Sequence, residues 1–297
     1  MKKLYRKGIL ILTLLLSLFL VFVGCSTKEV TKKSNGEESE STTKEIMGKD
    51  LEGTITLIGS TSVTPIAQVI GDSFMKEYPN VKIEVQGVGS SAGIKATNDG
   101  LADIGMSSRD LKEEEKELGI KENIIAYDGI AVVVHPNNKI NNLTQEQIGK
   151  IFKGEITNWN EVGGKDEKID VISREEGSGT RSAFEELMGL ESEKGSLVRQ
   201  DATFADGNGA IVSNVAQKEN AIGYISLSYL NDTVKALTID GVEPTIENIK
   251  SGDYAVSRPF LMLTKGKVSD IAQAYLDYVL SEKGQKIVEE NGVISID

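Results

Sequence analysis

Cysteine and histidine are nearly absent from this 297-residue chain, which has one of each, Cys25 and His135. A single thiol forms no internal disulfide and no cysteine-based zinc cluster. One imidazole leaves neither a Cys/His metal site nor a histidine-based triad, so no metal or cofactor is expected. Positive charge is also scarce: 33 Lys and Arg against 45 Asp and Glu, a formal net charge of −12. An acidic chain lacks the basic footprint of a nucleic-acid binder, and no such partner is expected. What is present is ordinary for a globular protein, 39% hydrophobic and 26% charged. The length suits roughly two domains, enough for real cores without disulfide staples.

The first residues read as a processing segment. Lys2, Lys3, Arg6 and Lys7 precede an apolar run from Ile9 to Val23, broken by Thr13 and Ser17. A cationic stretch followed by about 15 apolar residues is a secretory signal, short of the roughly 20 that a spanning helix needs. Phe22-Val23-Gly24-Cys25 resembles a bacterial lipobox, with Phe22 in place of the usual Leu. The resemblance implies cleavage after residue 24 and lipidation (diacylglyceryl, palmitate) of Cys25. Buried acyl chains contribute about 0.8 kcal/mol per CH₂, so two or three anchor durably. Cleavage removes four cations and leaves a mature charge of −16. Residues 25–50 then form the lipidated Cys and a polar tether with no helical or strand period.

From Gly53 the pattern alternates strands and helices. Strands are expected at Thr54–Ile58, Val81–Val85, Asp103–Met106, Ile124–Val134, Lys168–Ile172 and Ala221–Ser226. Helices are expected at Pro65–Tyr78, with Thr64 as N-cap, and at Ala92–Asn98, Arg181–Met188, Ile211–Lys218 and Ser269–Ser281. Alternation of this kind argues for an α/β fold with mostly parallel sheets. The run Ile130–Val134 suits a strand buried on both faces. Trp159 reads as packing, His135 as a strand end and Glu113–Glu117 as a solvated face, while the directions of Tyr127 and Tyr224 are open.

Three segments share a strand, then a Gly/Ser/Thr loop, then a helix start: Gly59–Pro65, Gly87–Gly93 and Arg174–Thr180. A fourth, Asp206–Ala210, opens a helix without hydroxyls. The first turn of a helix leaves N–H groups unpaired at its positive end. Gly admits a ligand close to the backbone, and Ser and Thr add donors. Loops of this type converging on one site would hold an oxyanion with neutral donors, Arg174 supplying charge. None matches G-x-x-x-x-G-K-[ST] or G-x-S-x-G, so a nucleotide P-loop and a nucleophile elbow are rejected.

The stretches GSTSVTP (59–65), GVGSSAG (87–93), DIGMSSR (103–109), IFKGEITNWNEVGG (151–164), SREEGSGTR (173–181), IGYIS (222–226) and SRPFLMLT (257–264) together resemble the phosphate-binding lipoproteins of bacterial phosphate-specific ABC transporters. The likeness covers 51–297. It implies a periplasmic-binding-protein-like type II fold, two α/β lobes joined by two hinge crossings, with lobe 1 at 51–128 plus 258–297 and lobe 2 at 129–257. It implies phosphate contacts from Ser60, Thr61, Ser62, Ser90, Ser108, Arg174, Ser178, Gly179 and Thr180, with Glu176 orienting Arg174.

The family's best-known members carry Asp where Ser108 stands, and that carboxylate accepts the phosphate proton. A hydroxyl both donates and accepts, so phosphate remains the expected ligand, with Asp110, two residues on, as the alternative acceptor. The expected protein is a monomeric receptor, not an enzyme, lipid-anchored on the extracytoplasmic face of the cell membrane, that delivers inorganic phosphate to membrane permease subunits. The rivals are the same fold with sulfate or molybdate, a surface phosphate-ester hydrolase, and a signalling or adhesive lipoprotein.

Overall fold

The computed structural model describes residues 50–296. The signal peptide, the Cys25 lipidation site and all but the last residue of the tether lie outside the described residues. The principal strands are β1 (Gly53–Gly59), β2 (Val81–Gly87), β3 (Ile104–Ser107), β4 (Ile120–Val134), β5 (Asp170–Arg174), β6 (Thr203–Ala205), β7 (Ala221–Ser226) and β8 (Ser257–Lys265). The principal helices are α1 (Thr64–Glu77), α2 (Ser90–Asn98), α3 (Gln145–Lys153), α4 (Gly179–Leu187), α5 (Gly207–Gln217), α6 (Asp270–Val279) and α7 (Glu282–Glu290).

The strands pair in the order β2-β1-β3-β8-β4-β7-β5-β6, and the two-residue strand Lys235–Ala236 also pairs with β4. The outer pairs, β1 with β2 and β3 and β5 with β6 and β7, are parallel, as the strand–helix alternation predicts. The middle is not. β8 is antiparallel to both β3 and β4, and β7 is antiparallel to β4. The reason is the route of the chain, since β8 comes back late in the sequence and inserts between two strands laid down earlier.

β4 is long because its sequence buries on both faces. Ile130, Val132 and Val134 join one apolar cluster while Ala131 and Val133 join another. Its first part pairs with β8 as far as Gly129, and from Ile130 onward it pairs with β7. The two largest apolar cores divide at the same place. One gathers residues from Leu51 to Ala126 together with Phe260 to Val293; the other takes Ile130 to Val256 and also Ile294. Burial at about 25 cal/mol per Å² of apolar surface makes each core the main source of its own stability.

Two expectations about elements need correction. Thr64 is the first residue of α1 rather than its cap, because Val63 is the N-cap and the Thr64 hydroxyl donates to Ser60 O at 2.9 Å. The C-terminal helix stops at Val279, and Ser281 caps a second helix, α7, through Gly284 N at 3.2 Å. Ile294 bridges to Tyr127 and packs in the second core, so the chain end also reaches the junction. Trp159 is buried, His135 follows the end of β4, and Glu113–Lys116 is a short helix with no buried residue, as read from the sequence.

Candidate anion-binding site

The loops after β1, β2, β3 and β5 meet where the two cores face each other. At the end of β1, Gly59 takes φ 149° and a Cβ there would overlap Met106 O, so only glycine lets β1 and β3 close up and deliver Ser60 beside Ser108. Gly179, the first residue of α4, is pressed against the same cluster: a Cβ on it would overlap Ser90 Oγ and lie 2.7 Å from Ser108 Oγ. The site is thus a convergence of strand ends and helix N-termini, where open α/β sheets place ligands.

Of the residues expected at the site, Ser60, Ser62, Ser90, Ser108, Arg174, Ser178, Gly179 and Thr180 are buried and Thr61 is half-buried. Ser60 Oγ donates to Ser108 Oγ at 2.8 Å, Ser90 Oγ lies 3.4 Å from Ser108 Oγ, and Ser108 N donates to Ser90 Oγ at 3.1 Å. Ser62 Oγ and Thr180 Oγ1, one from each core's side, are 3.0 Å apart. Ser178 caps α4, its Oγ accepting from Arg181 N. Mutual bonding leaves these buried hydroxyls satisfied, and an oxyanion would take over the Ser62–Thr180 and Ser90–Ser108 bonds. Asp110 is exposed and outside this cluster.

Arg174 is 1% exposed and lies at the end of β5. Its Nε and Nη2 donate to the two oxygens of Glu175, both at 2.7 Å, its Nη1 to Asn208 Oδ1 at 3.2 Å and its Nη2 to Thr61 Oγ1 at 3.1 Å. These bonds leave one Nη1 proton uncommitted among the guanidinium's five. The orienting acid is therefore Glu175 and not Glu176, which is exposed. Residues two apart share a side only while the strand continues. Here the strand stops at Arg174 and residues 176–177 turn, Gly177 at φ 82°. Burial acts to raise the Glu175 carboxyl, but the bonds and charge of Arg174 outweigh it and hold the group below its ordinary value.

Sequence reasoning missed a second guanidinium. Arg258, on β8, is 3% exposed and donates through Nη2 to Ser62 Oγ at 3.1 Å and through Nη1 to Ser108 O at 3.1 Å and Ser108 Oγ at 3.3 Å. Its register partner on β4, Asp128, accepts from Nη2 at 2.9 Å and Nε at 3.3 Å. Burial raises the Asp128 carboxyl and lowers Arg258, and each is pulled back by its partner. A guanidinium keeps its proton, and its charge and bonds act to hold Asp128 ionised against that burial.

Asn208 was also missed: its Nδ2 donates to Ser62 Oγ at 3.0 Å, and its Oδ1 accepts from Ser226 N at 3.1 Å. It sits in the fourth glycine loop, which carries no hydroxyl yet brings a carboxamide. Tyr229 OH donates to Thr61 O at 3.0 Å. Tyr224 is fully buried, lies against Ser173 Oγ at 2.9 Å, and its phenol is pushed up to about 12 by burial. Tyr127 is 40% exposed and takes no part.

A family model described as a PBP superfamily domain matches residues 36–283. The phosphate-binding protein PstS of Bacillus subtilis is 34% identical over 300 residues, spanning 98% of this chain and 95% of that protein. A solved structure of a phosphate ABC transporter substrate-binding protein with bound phosphate, from Clostridium perfringens, has 47% identity and a TM-score of 0.80, covering 82% of this chain and 100% of that one. An ABC-type phosphate transport receptor from Vibrio cholerae, 40% identical, gives a TM-score of 0.70 over 81% of this chain and 99% of that one. Matches of that length and identity, on a chain whose hydroxyl loops and buried arginines converge as described, show that it belongs to the phosphate-binding proteins of the PBP superfamily.

Proposed function

We propose that this chain is the substrate-binding receptor of a phosphate ABC importer: it captures inorganic phosphate between its two cores and presents it to membrane permease subunits. The observation that carries the reading is the meeting of Ser62 and Thr180 across the two cores, with Arg174 and Arg258 beside them. Glu175 and Asp128 neutralise those two arginines, so the pocket offers many hydrogen-bond donors at little net charge. Donors of this kind, charge-assisted bonds worth about 1.5–3 kcal/mol each, support micromolar or tighter affinity, about −8 kcal/mol. An anion bonded to both sides favours the closed arrangement, which the permease can distinguish from the open one.

In this reading residues 51–128 and 258–297 form one lobe, 129–257 the other, and β4 and β8 carry the hinge. A monomer tethered by lipidated Cys25 on the extracytoplasmic face completes the assignment, supported by the lipobox-like Phe22–Cys25. The relatives' names describe binding and not catalysis, which weighs against the hydrolase reading. Sulfate stays as a second ligand to test because Ser108 puts a hydroxyl where a discriminating carboxylate would stand.

Calorimetric titration of the ligand-stripped mature chain with phosphate and, separately, sulfate near pH 7 tests this. Saturable micromolar phosphate binding with little sulfate response is expected. Comparable sulfate binding would make it a general oxyanion receptor, and no heat with either would remove the anion site altogether.

A further inference from the structure

The hydroxyls at the centre of the site have a determinable proton direction. Asn208 Oδ1 receives two donors that cannot reverse, Ser226 N and Arg174 Nη1, so its Nδ2 must be the atom facing Ser62. Ser62 Oγ therefore accepts from Asn208 Nδ2 and from Arg258 Nη2. Ser60 Oγ accepts from the N–H groups of Ser62 at 3.2 Å and Val63 at 3.4 Å, and its own proton goes to Ser108 Oγ. Ser108 Oγ thus accepts from Ser60 and from Arg258 Nη1. A hydroxyl has two lone pairs and one proton. With both lone pairs taken, and Ser60 keeping its proton on Ser108, Ser62 and Ser108 have only their protons left to offer, to Thr180 and Ser90 in this arrangement and to an anion when one is bound.

Resting on the oxyanion reading of the site, we propose that Arg258, oriented by Asp128, is a positioning residue that fixes Ser62 and Ser108 as proton donors to the bound anion. Ser108 then does not take over the proton-accepting task of the aspartate it replaces. Arg258 cannot relax this constraint, because a guanidinium has no acceptor and stays protonated. Asp128 holds its fork so that one Nη faces each serine, and the two residues sit opposite each other in the β4–β8 register. A hydroxyl that accepts the phosphate proton must keep a free lone pair, as Thr61 Oγ1 does with its single donor from Arg174 in this network.

The test compares phosphate with sulfate, which has no proton to give at neutral pH, on the mature chain and its variants. Ser108→Ala is expected to weaken both anions by a similar factor, roughly tenfold for one lost donor. Loss of phosphate affinity alone, with sulfate unchanged or tighter, overturns the proposal. Arg258→Lys keeps the charge and removes the fork. Positioning predicts that Ser62→Ala then has little further effect on affinity, whereas additive losses would mean a merely structural arginine. If Arg258→Lys does not fold, Asp128→Asn replaces it in the same cycle, with the same two outcomes. A chain that binds sulfate but not phosphate would defeat the proposed function and leave this assignment to be decided on the sulfate arm, where Ser108→Ala must still weaken binding. A chain that binds neither overturns both.

Discussion

Arg174 and Arg258 do different work although both are buried beside the same hydroxyls. Arg174 is clamped by Glu175 along one edge and keeps one Nη1 proton for a ligand, while Arg258 directs its terminal nitrogens at serines. At this scale the sharpest comparison is between adjacent acids. Glu175→Gln removes the charge that orients Arg174 and is expected to weaken phosphate binding tenfold or more by titration calorimetry; Glu176→Gln, on an exposed neighbour, should change it less than twofold. The reverse order would restore the orienting role to Glu176. Stability should follow with a defined pH dependence. The Glu175 carboxyl is held below its ordinary 4.5, so its contribution is complete above that value and is lost as pH falls through the depressed one. Urea unfolding should show wild type ahead of Glu175→Gln by about 1–3 kcal/mol at pH 7. The gap should close on acidification below 4.5. A gap that persists in acid would mean that the ion pair is not its source.

Among the elements, β4 decides most. Its apolar residues alternate between two clusters on opposite faces, and it changes partner from β8 to β7 at Gly129–Ile130. That change puts Asp128 at the junction, opposite Arg258. β1 contributes through one glycine. Gly59→Ala places a methyl onto Met106 O in a left-handed conformation, and is expected to destabilise by about 1–3 kcal/mol. It should also weaken phosphate binding, because Ser60 rides on that strand end. Thermal melts and calorimetry check both; a variant as stable and as tight as wild type would show that the β1–β3 approach is not what seats the loop. The hydroxyl loops themselves were legible beforehand, since strand, small residues and helix start are all local signals. Glu175 was not, because the side a residue faces depends on where the strand ends.

For the whole molecule, the two cores and the strands running between them predict closure on the ligand. Small-angle scattering of the stripped mature chain should show a smaller radius of gyration once phosphate is added, and none of that change with chloride. Phosphate at a hundred times its Kd should raise stability by about 2.7 kcal/mol, read as a higher Tm. Unchanged scattering with a raised Tm would mean binding to a preclosed form. Ile294, bridged to Tyr127 and packed in the second core, is a further tie beside β4 and β8 that any such motion must accommodate.

Local order sufficed for much of this. The α/β alternation, the buried strand Ile130–Val134, the hydroxyl loops and Arg174 are carried by short-range periodicity and by runs of Gly, Ser and Thr, whose physics acts within a few residues. Arg258, Asp128 and Asn208 were beyond such reading. Arg258 and Asp128 are 130 residues apart in the chain and meet only because β8 returns to pair with β4; Ser62 and Asn208 are 146 apart. A buried arginine and an exposed one look alike in sequence, and so do a hydroxyl free to accept a proton and one whose lone pairs are taken. Tertiary packing decides both, by setting which donors surround each oxygen.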